Sequence, residues 1–134
     1  MSDYLLDANV CIELLRGKNT TIATKLAKLN PQKVAICSVV KGELFFGANR
    51  SSNPKHALAT VKRFVQHFQS LPFDDQAAEI YGELRAFLTN QGKIIGPNDL
   101  LIAATALAHN ATLVTHNTRE FARVPHLKLE DWEN

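Results

Sequence analysis

An α/β fold is predicted for this chain, with a central, mostly parallel sheet of four to five strands and helices on both of its faces. Short apolar runs alternate with longer segments whose apolar residues recur at helical spacing. Parallel strands need a crossover between them, so this alternation favours a parallel sheet. The length of 134 residues, with 46% hydrophobic and 21% charged residues, fits one compact domain spanning residues 1–134.

The short apolar runs are the expected strands of this sheet. In chain order they cover residues 4–6, 34–37, 71–73, 112–115 and 127–129. The runs at 71–73 and 127–129 are expected to be edge strands.

The segments with helical spacing give the expected helices. They cover about residues 8–16, 21–29, 38–46, 54–68, 74–90 and 99–108. The boundary residues are Gly17 after the first helix, Ser38 as the N-cap of the third, Asp74 or Asp75 as the cap of the fifth, and Asn98 or Asp99 at the start of the last.

Charge and composition narrow the class of protein. The net charge of +2 is too mild to indicate nucleic-acid binding by itself, so a polyanion would need a local basic rim. No apolar run approaches the roughly 20 residues of a spanning helix, and the start lacks the features of a signal peptide. We therefore expect a cytoplasmic location and no membrane partner. Cys11 and Cys37 lie in apolar segments and are expected to be reduced core residues.

Two aspartates stand where open α/β sheets bind ligands. Asp7 follows the first predicted strand, and Asp99 opens a helix that is apolar almost all round. Such sheets bind ligands beyond the carboxyl ends of their strands, so we also look near Ser38 and after Thr115. Each aspartate could instead be a plain helix cap, since capping is a common role of Asp and the helix dipole favours the charge.

Glu43 is the acid that is hardest to explain structurally. Steps of about 100° per residue place it between Val39 and Val40 on the predicted helix. Phe46 and Gly47 flank it, so it is expected in the middle of the apolar face. A carboxylate there is costly to bury without a positive partner. A metal-binding or catalytic role is therefore favoured over a structural salt bridge.

A fourth polar cluster follows the strand that ends at Thr115. Asn117 and Glu120 have the spacing of a capping box at the start of a short helix. Thr115 and Glu120 could equally extend an acidic site. The spacing alone leaves both interpretations open.

Carboxylates that different elements bring together are expected to need a cation. They repel one another and raise each other's pKa unless a positive ion intervenes. Oxygen ligands select hard ions, so Mg²⁺ or Mn²⁺ is expected in preference to zinc. The histidines show no paired ligand spacing, and only His116 is placed near the expected site.

Five segments of the chain form a pattern when they are taken in order. They are Leu-Leu-Asp-Ala-Asn at 5–9, Ser-Val-Val-Lys-Gly-Glu-Leu at 38–44 with Gly47 following, Gly-Lys-Ile-Ile-Gly-Pro-Asn-Asp at 92–99, Leu-Val-Thr-His-Asn-Thr-Arg-Glu-Phe at 113–121, and Leu-Glu-Asp-Trp at 129–132. Together these segments resemble the VapC-type toxins of the PIN domain family. The similarity spans essentially the whole chain in the expected order.

The resemblance implies a PIN fold and a Mg²⁺-dependent endoribonuclease. It places the family's acids on Asp7, Glu43 and Asp99, which would hold the metal, with Glu120 as the candidate fourth catalytic acid. It also implies a toxin that dimerises, is silenced by a cognate VapB-type antitoxin, and inhibits translation. Such toxins cut structured RNA, often tRNA, at a single-stranded loop, consistent with how proteins read RNA sequence.

Two positions depart from the family pattern. Many relatives carry Thr or Ser where this chain has Ala8, and many carry Asp where it has Asn117. The fourth acidic position is therefore open between Glu120 and a neutral Asn117. The polar groups expected to support the acids are Asn9, Ser38, Thr115 and Asn117. The cations that could contact flanking phosphates, or could equally be solvated surface, are Lys41, Arg50, Lys93 and Arg119.

Three other functions compete with that of a toxin. A PIN-domain nuclease of RNA processing, which is not a toxin, is the main alternative. A receiver-like signalling module needs paired acids after its first strand, whereas Ala8 and Asn9 follow Asp7 here. A phosphatase of the Asp-x-Asp kind is disfavoured because Asn9 occupies its second Asp position.

Overall fold

The computed structural model describes residues 2–133, and its strands form one parallel sheet. The strands are β1 (Tyr4–Leu6), β2 (Val34–Cys37), β3 (Gln69–Leu71), β4 (Thr112–Val114) and β5 (Leu129–Glu130). Within the described residues their order is β3-β2-β1-β4-β5, and every neighbouring pair is parallel. The predicted α/β class is therefore confirmed. The predicted domain range reaches residues 1 and 134, which lie outside the described residues.

The helices follow the predicted order with small shifts at their ends. They are α1 (Ala8–Arg16), α2 (Thr20–Ala27), α3 (Ser38–Asn49), α4 (Pro54–Val65), α5 (Asp75–Asn90), α6 (Pro97–Ala108) and α7 (Thr118–Phe121). A short 3-10 turn at Pro31–Lys33, which the sequence analysis did not predict, leads into β2.

Both faces of the central strands are covered. Leu5 and Leu6 are adjacent in β1 and both have no exposed surface, and all four residues of β2 are buried. Successive side chains of a strand point to opposite faces of the sheet, so the apolar core extends above and below it. This burial accounts for the short, continuously apolar strands in the sequence.

The edge strands lie at the predicted edges but not at the predicted residues. β3 occupies 69–71 and not 71–73, because Pro72 has no N–H to donate to a strand partner. β5 occupies 129–130 and not 127–129. β4 ends at Val114, one residue early, although the Thr115 N–H still donates to the Glu130 carbonyl at 3.0 Å.

Ser38 does not cap α3 as predicted. Cys37 occupies the N-cap position, its side chain makes no capping bond, and Ser38 is the exposed first residue of the helix. Asp74, by contrast, caps α5 as expected, with its Oδ1 accepting from the Ala77 N–H at 3.0 Å.

α6 begins before the predicted Asn98 or Asp99. Gly96 is its N-cap residue and Pro97 is its first helical residue. Proline suits this position because its fixed φ is helical and a first-turn N–H has no intrahelical partner. Asp99 therefore lies within the first turn, and its side chain is not the cap.

The prediction that the two cysteines are core residues is confirmed. Cys11 and Cys37 are buried and unbridged. The C-terminal segment closes over β1, where Trp132 packs edge-on against Tyr4 with 5.4 Å between ring centroids. None of the helices within residues 2–133 is long and apolar enough to cross a membrane.

Replacing the buried Phe121 by Ala is expected to lower the free energy of unfolding by about 3–5 kcal/mol, since the ring has no exposed surface. Phe46 is 64% exposed, so the matched Phe46→Ala change is expected to alter it by less than about 1 kcal/mol. Urea denaturation followed by circular dichroism measures both. Equal losses in the two variants would contradict the assigned core.

Candidate active site

Asp7 is a buried carboxylate held at the ends of two neighbouring strands. It follows β1, its N–H donates to the Val114 carbonyl of β4 at 3.0 Å, and only 4% of its surface is exposed. Its Oδ1 accepts from the Ala8 N–H at 2.7 Å, and its Oδ2 accepts from Thr115 Oγ1 at 2.8 Å. Asp7 is thus the N-cap of α1, as the structural alternative predicted, and it also lies at the carboxyl edge of the sheet.

Burial raises the pKa of Asp7, and its two hydrogen bonds oppose that rise. Thr115 has no exposed surface, so its hydroxyl is a fixed donor to this carboxylate. Of the polar groups expected to support the acids, Thr115 is therefore the one that contacts Asp7 directly.

Asp99 lies close enough to the other acids for their charges to raise its pKa. Its pKa is raised from 3.8 to about 7, chiefly by burial and then by the charges of Asp7, Glu120 and Glu43 in that order. A Cβ placed on Gly96 would lie 3.5 Å from Asp99 Oδ2 and 3.8 Å from Glu120 Oε1, so these two carboxylates converge on the start of α6.

Glu43 lies at the border of the buried face of α3 and not in its middle. The side chains that α3 buries are those of Val40, Leu44 and Ala48, whereas Phe46 is 64% exposed. The predicted position was wrong because it counted Phe46 as part of the buried face. Burial raises the pKa of Glu43, and the charge of Asp7 raises it further.

One oxygen of Glu43 is buried without a partner. Within residues 2–133 its Oε1 is the one buried side-chain oxygen or nitrogen that makes no hydrogen bond. Buried polar atoms are nearly always paired, so this oxygen is suited to a ligand. A metal ion would satisfy it, and a carboxylate oxygen is a donor that Mg²⁺ and Mn²⁺ accept.

Glu120 and Asn117 bond each other, but not as a capping box. Asn117 makes no side-chain capping bond, and its Nδ2 donates to Glu120 Oε2 at 2.7 Å. The other oxygen, Oε1, accepts from the Gly96 N–H at 2.6 Å. Glu120 therefore ties the segment after β4 to the first turn of α6, where Asp99 lies. The backbone N–H of Asn117 is itself held by Thr115 Oγ1 at 3.0 Å.

The acidic site has no basic neighbour to balance it. In the described part of the chain, no Lys, Arg or His nitrogen lies within 4.0 Å of a carboxylate oxygen of Asp7, Glu43, Asp99 or Glu120. The negative charges are therefore compensated only by hydrogen bonds and by protonation. An added divalent cation fits both the charge and the oxygen donors of this site.

The remaining expected polar groups are arranged less closely. Asn9 is exposed and lines a shallow hollow together with His116 and Asn117. Ser38 is also exposed, on the first turn of α3, and it makes no cap there.

The four candidate cations differ in their surroundings. Lys41 Nζ donates to Ser70 of β3 at 2.8 Å, and the guanidinium of Arg50 lies over the Phe46 ring. Lys93 is exposed between α5 and α6, and Arg119 is exposed beside Glu120. Lys41 lies on α3 two residues before Glu43, Arg119 directly precedes Glu120, and Lys93 lies in the segment before α6.

His116 contacts acids of the C-terminal segment, and the sequence did not predict this contact. Its Nδ1 lies 3.1 Å from Asp131 Oδ2 and 3.4 Å from Glu133 Oε2. Over residues 2–133, these are the one group of three or more His, Cys, Asp or Glu side chains whose ligand atoms all lie within 4.8 Å of one another. The partners are remote in sequence, so no local spacing announces them. The acids of the main site do not form such a group, so their ligand atoms are spaced more widely.

Replacing Asp99 by Asn is expected to stabilise the metal-free protein at pH 8 and to stabilise it less at pH 5. The folded protein holds a proton on Asp99 up to about pH 7, whereas the unfolded chain releases it near 3.8. The wild type therefore loses stability as the pH rises through this window, and the asparagine of the variant has no charge to bury. Urea denaturation in EDTA measures the difference.

Asp75→Asn is the matched control, because Asp75 is exposed in the first turn of α5. The difference between the effects at pH 8 and pH 5 should be larger for Asp99→Asn than for this control. A pH-independent effect of Asp99→Asn would contradict the raised pKa of Asp99.

Relatives of known activity match nearly the whole chain. The family model of the PIN domain matches residues 4–127. The tRNA(fMet)-specific endonuclease VapC of Shigella flexneri is 39% identical over 132 residues, which are 98% of this chain and 99% of that protein. Ribonuclease VapC2 of Rickettsia felis is 38% identical over 97% of this chain and 98% of that protein.

Solved structures agree with these relatives. A chain of the DNA-bound VapBC complex from Salmonella typhimurium superposes with a TM-score of 0.93 at 37% identity, covering 98% of this chain and 99% of that one. A chain of the DNA-bound VapBC2 complex from Rickettsia felis superposes with a TM-score of 0.89 at 37% identity, covering 96% and 98%. The receiver-like and phosphatase alternatives are thereby excluded. The chain belongs to the PIN domain family and, within it, to the VapC ribonucleases.

Proposed function

We propose that this protein is the toxin of a VapBC-type module, a Mg²⁺-dependent endoribonuclease whose metal is held by Asp7, Glu43 and Asp99. The unpartnered buried Oε1 of Glu43, in a group of acids with no basic neighbour, is the observation that carries the proposal. A purely structural role for these acids would leave that buried oxygen without a partner.

A divalent ion bound here would polarise the scissile phosphate and lower the pKa of an attacking water. The acids of the chain supply the negative charge that attracts the ion and fix where it lies. Mg²⁺ is favoured because all the donors are oxygens, and Mn²⁺ is the acceptable substitute.

The hydrogen bonds of the site keep its acids in place. Thr115 Oγ1 and the Ala8 N–H orient the two oxygens of Asp7, so this carboxylate cannot rotate freely. Glu120 uses one oxygen on the Gly96 N–H and the other on Asn117. We therefore infer that Glu120 is a fourth acid that holds Asp99 in register and adds its charge to the site.

The substrate and partners follow from the relatives. One relative is named for tRNA(fMet), so we propose that this chain cuts structured RNA such as tRNA at a single-stranded loop, and so stops translation. Similar chains occur in VapBC complexes, and we propose a VapB-type antitoxin and a toxin dimer for this protein. Lys93 and Arg119 are the proposed contacts to flanking phosphates. A cytoplasmic location, where RNA and antitoxin meet, completes the proposal.

Asp7→Asn and Asp99→Asn are each expected to abolish RNA cleavage while the protein stays folded, because each removes a proposed metal ligand but keeps the shape of the side chain. EDTA should stop cleavage by the wild type, and Mg²⁺ or Mn²⁺ should restore it. Gel analysis of a labelled tRNA measures cleavage. Asp75→Asn serves as the control. Asp75 lies at the start of α5, outside the site, so this variant is expected to keep wild-type activity. Full activity of Asp99→Asn would refute the proposed site.

Glu120→Gln is expected to reduce the cleavage rate more than Asn117→Ala does. The first change removes a charge beside Asp99, whereas the second removes one hydrogen bond and leaves the bond from Gly96 to Glu120. Losses of about 10- to 100-fold are typical when such supporting groups are removed. Initial rates at saturating Mg²⁺ give the ranking, and the opposite order would make Asn117 the more important residue.

A further inference from the structure

We propose that the cleft between α5 and α6 binds one unpaired nucleotide of the RNA beside the scissile phosphate. In this inference, which rests on the proposed function, its base packs on Tyr81 and Ile94 and its phosphate contacts Arg85 and Lys93. The cleft has a volume of about 490 Å³, within the range of pockets that hold small ligands.

The cleft adjoins the first turn of α6, which carries Asp99. Pro97 and Leu100 line it from the first turn of α6, and Asp99 lies between them in the chain. Gly96, which precedes this turn, donates its N–H to Glu120. An RNA strand whose phosphate lies at Asp99 therefore has this cleft as its neighbouring surface.

The charge of the cleft lining matches a nucleic acid. Arg85 and Lys93 are both exposed there, and among the described residues that line the cleft there is no Asp or Glu. The net charge of the chain is only +2, so two cations together in one cleft are a local concentration of positive charge. Two cations next to a metal-binding site suit the phosphates on either side of a cleaved bond.

The apolar part of the lining suits a base. Ile94 is 82% exposed, whereas Ile95 beside it is only 8% exposed. An apolar side chain is therefore exposed to solvent at the mouth of the cleft. The Tyr81 ring is held edge-on by Phe73, with 6.0 Å between ring centroids. Unpaired RNA bases stack on aromatic rings and on guanidinium planes, and Arg85 lies over the Tyr81 ring.

The loop that forms the cleft is anchored and not loose. Arg123 donates from its guanidinium to the Ile94 carbonyl, and the Lys93 N–H donates to the Leu88 carbonyl at 2.9 Å. Ile94 and Lys93 are therefore presented in a fixed arrangement before any RNA binds, which lowers the entropic cost of binding.

The test uses an RNA hairpin in which each loop nucleotide in turn is made abasic. For the wild type, one abasic position beside the cleavage site should raise KM by roughly 5- to 100-fold, because a stacked base is lost.

Ile94→Ala should raise KM to a similar degree on the intact hairpin and should lose its sensitivity to that abasic position. Lys93→Ala should raise KM with a small change in kcat. Lys62→Ala, which removes an exposed cation of α4, is the matched control and should behave as wild type.

Several outcomes would overturn the inference without touching the proposed function. Wild-type cleavage with equal abasic sensitivity in wild type and Ile94→Ala would place the base elsewhere. An unchanged KM for Lys93→Ala would remove the phosphate contact. Loss of dimerisation by Ile94→Ala in size-exclusion chromatography, with unchanged RNA affinity, would make the cleft an interface between copies.

Binding distinguishes the two proposals if the wild type cleaves no RNA, a result that refutes the proposed function. Fluorescence anisotropy of the labelled hairpin then measures RNA binding without cleavage. It compares the Asp99→Asn variant with the double variant that also carries Ile94→Ala. Weaker binding of the double variant supports the nucleotide site. Equal binding of the two proteins overturns it.

Discussion

The hydrogen bond from Thr115 to Asp7 fixes the acidic site to the sheet, because it joins residues at the ends of the neighbouring strands β1 and β4. The Asp7 N–H bonds the Val114 carbonyl, and its carboxylate accepts the Thr115 hydroxyl at 2.8 Å. A buried carboxylate without such donors would take up a proton or move into solvent. The charge of Asp7 in turn adds to the rise in the pKa of Glu43 and of Asp99 that burial causes, so the protonation of these two acids depends in part on Asp7.

Strand ends could be predicted from the sequence, but the way a helix packs could not. Asp7 was located correctly because a short apolar run and the residue after it form a local pattern. Glu43 was placed on the wrong part of α3 because packing leaves the apolar Phe46 in solvent. The bond between Gly96 and Glu120 spans 24 residues, and no spacing rule connects two such positions. Local chemistry therefore indicates which residues are unusual, whereas the sheet order decides which of them meet.

Gathering acids without a basic neighbour costs stability, and the sequence shows how the fold tolerates it. Each acid is directly preceded or followed in the chain by a buried apolar residue that anchors its backbone in the core. These residues are Leu6 beside Asp7, Leu44 beside Glu43, Leu100 beside Asp99 and Phe121 beside Glu120. Burial of the anchors holds each carboxylate in place although its neighbours repel it. Such retained repulsion is typical of sites whose chemistry needs the charge.

The family pattern predicts an aspartate at position 117, and the contacts of Asn117 explain how the site has its negative charge at Glu120 instead. The Asn117 amide donates to Glu120 Oε2 at 2.7 Å, a bond that an ionised aspartate could not make. An aspartate at 117 would instead face Glu120 with a like charge and would weaken its hold on the Gly96 N–H. The neutral Asn117 and the acidic Glu120 therefore act together. The negative charge lies at residue 120 on α7 and not at residue 117, and there it accepts the Gly96 N–H and stabilises the first turn of α6.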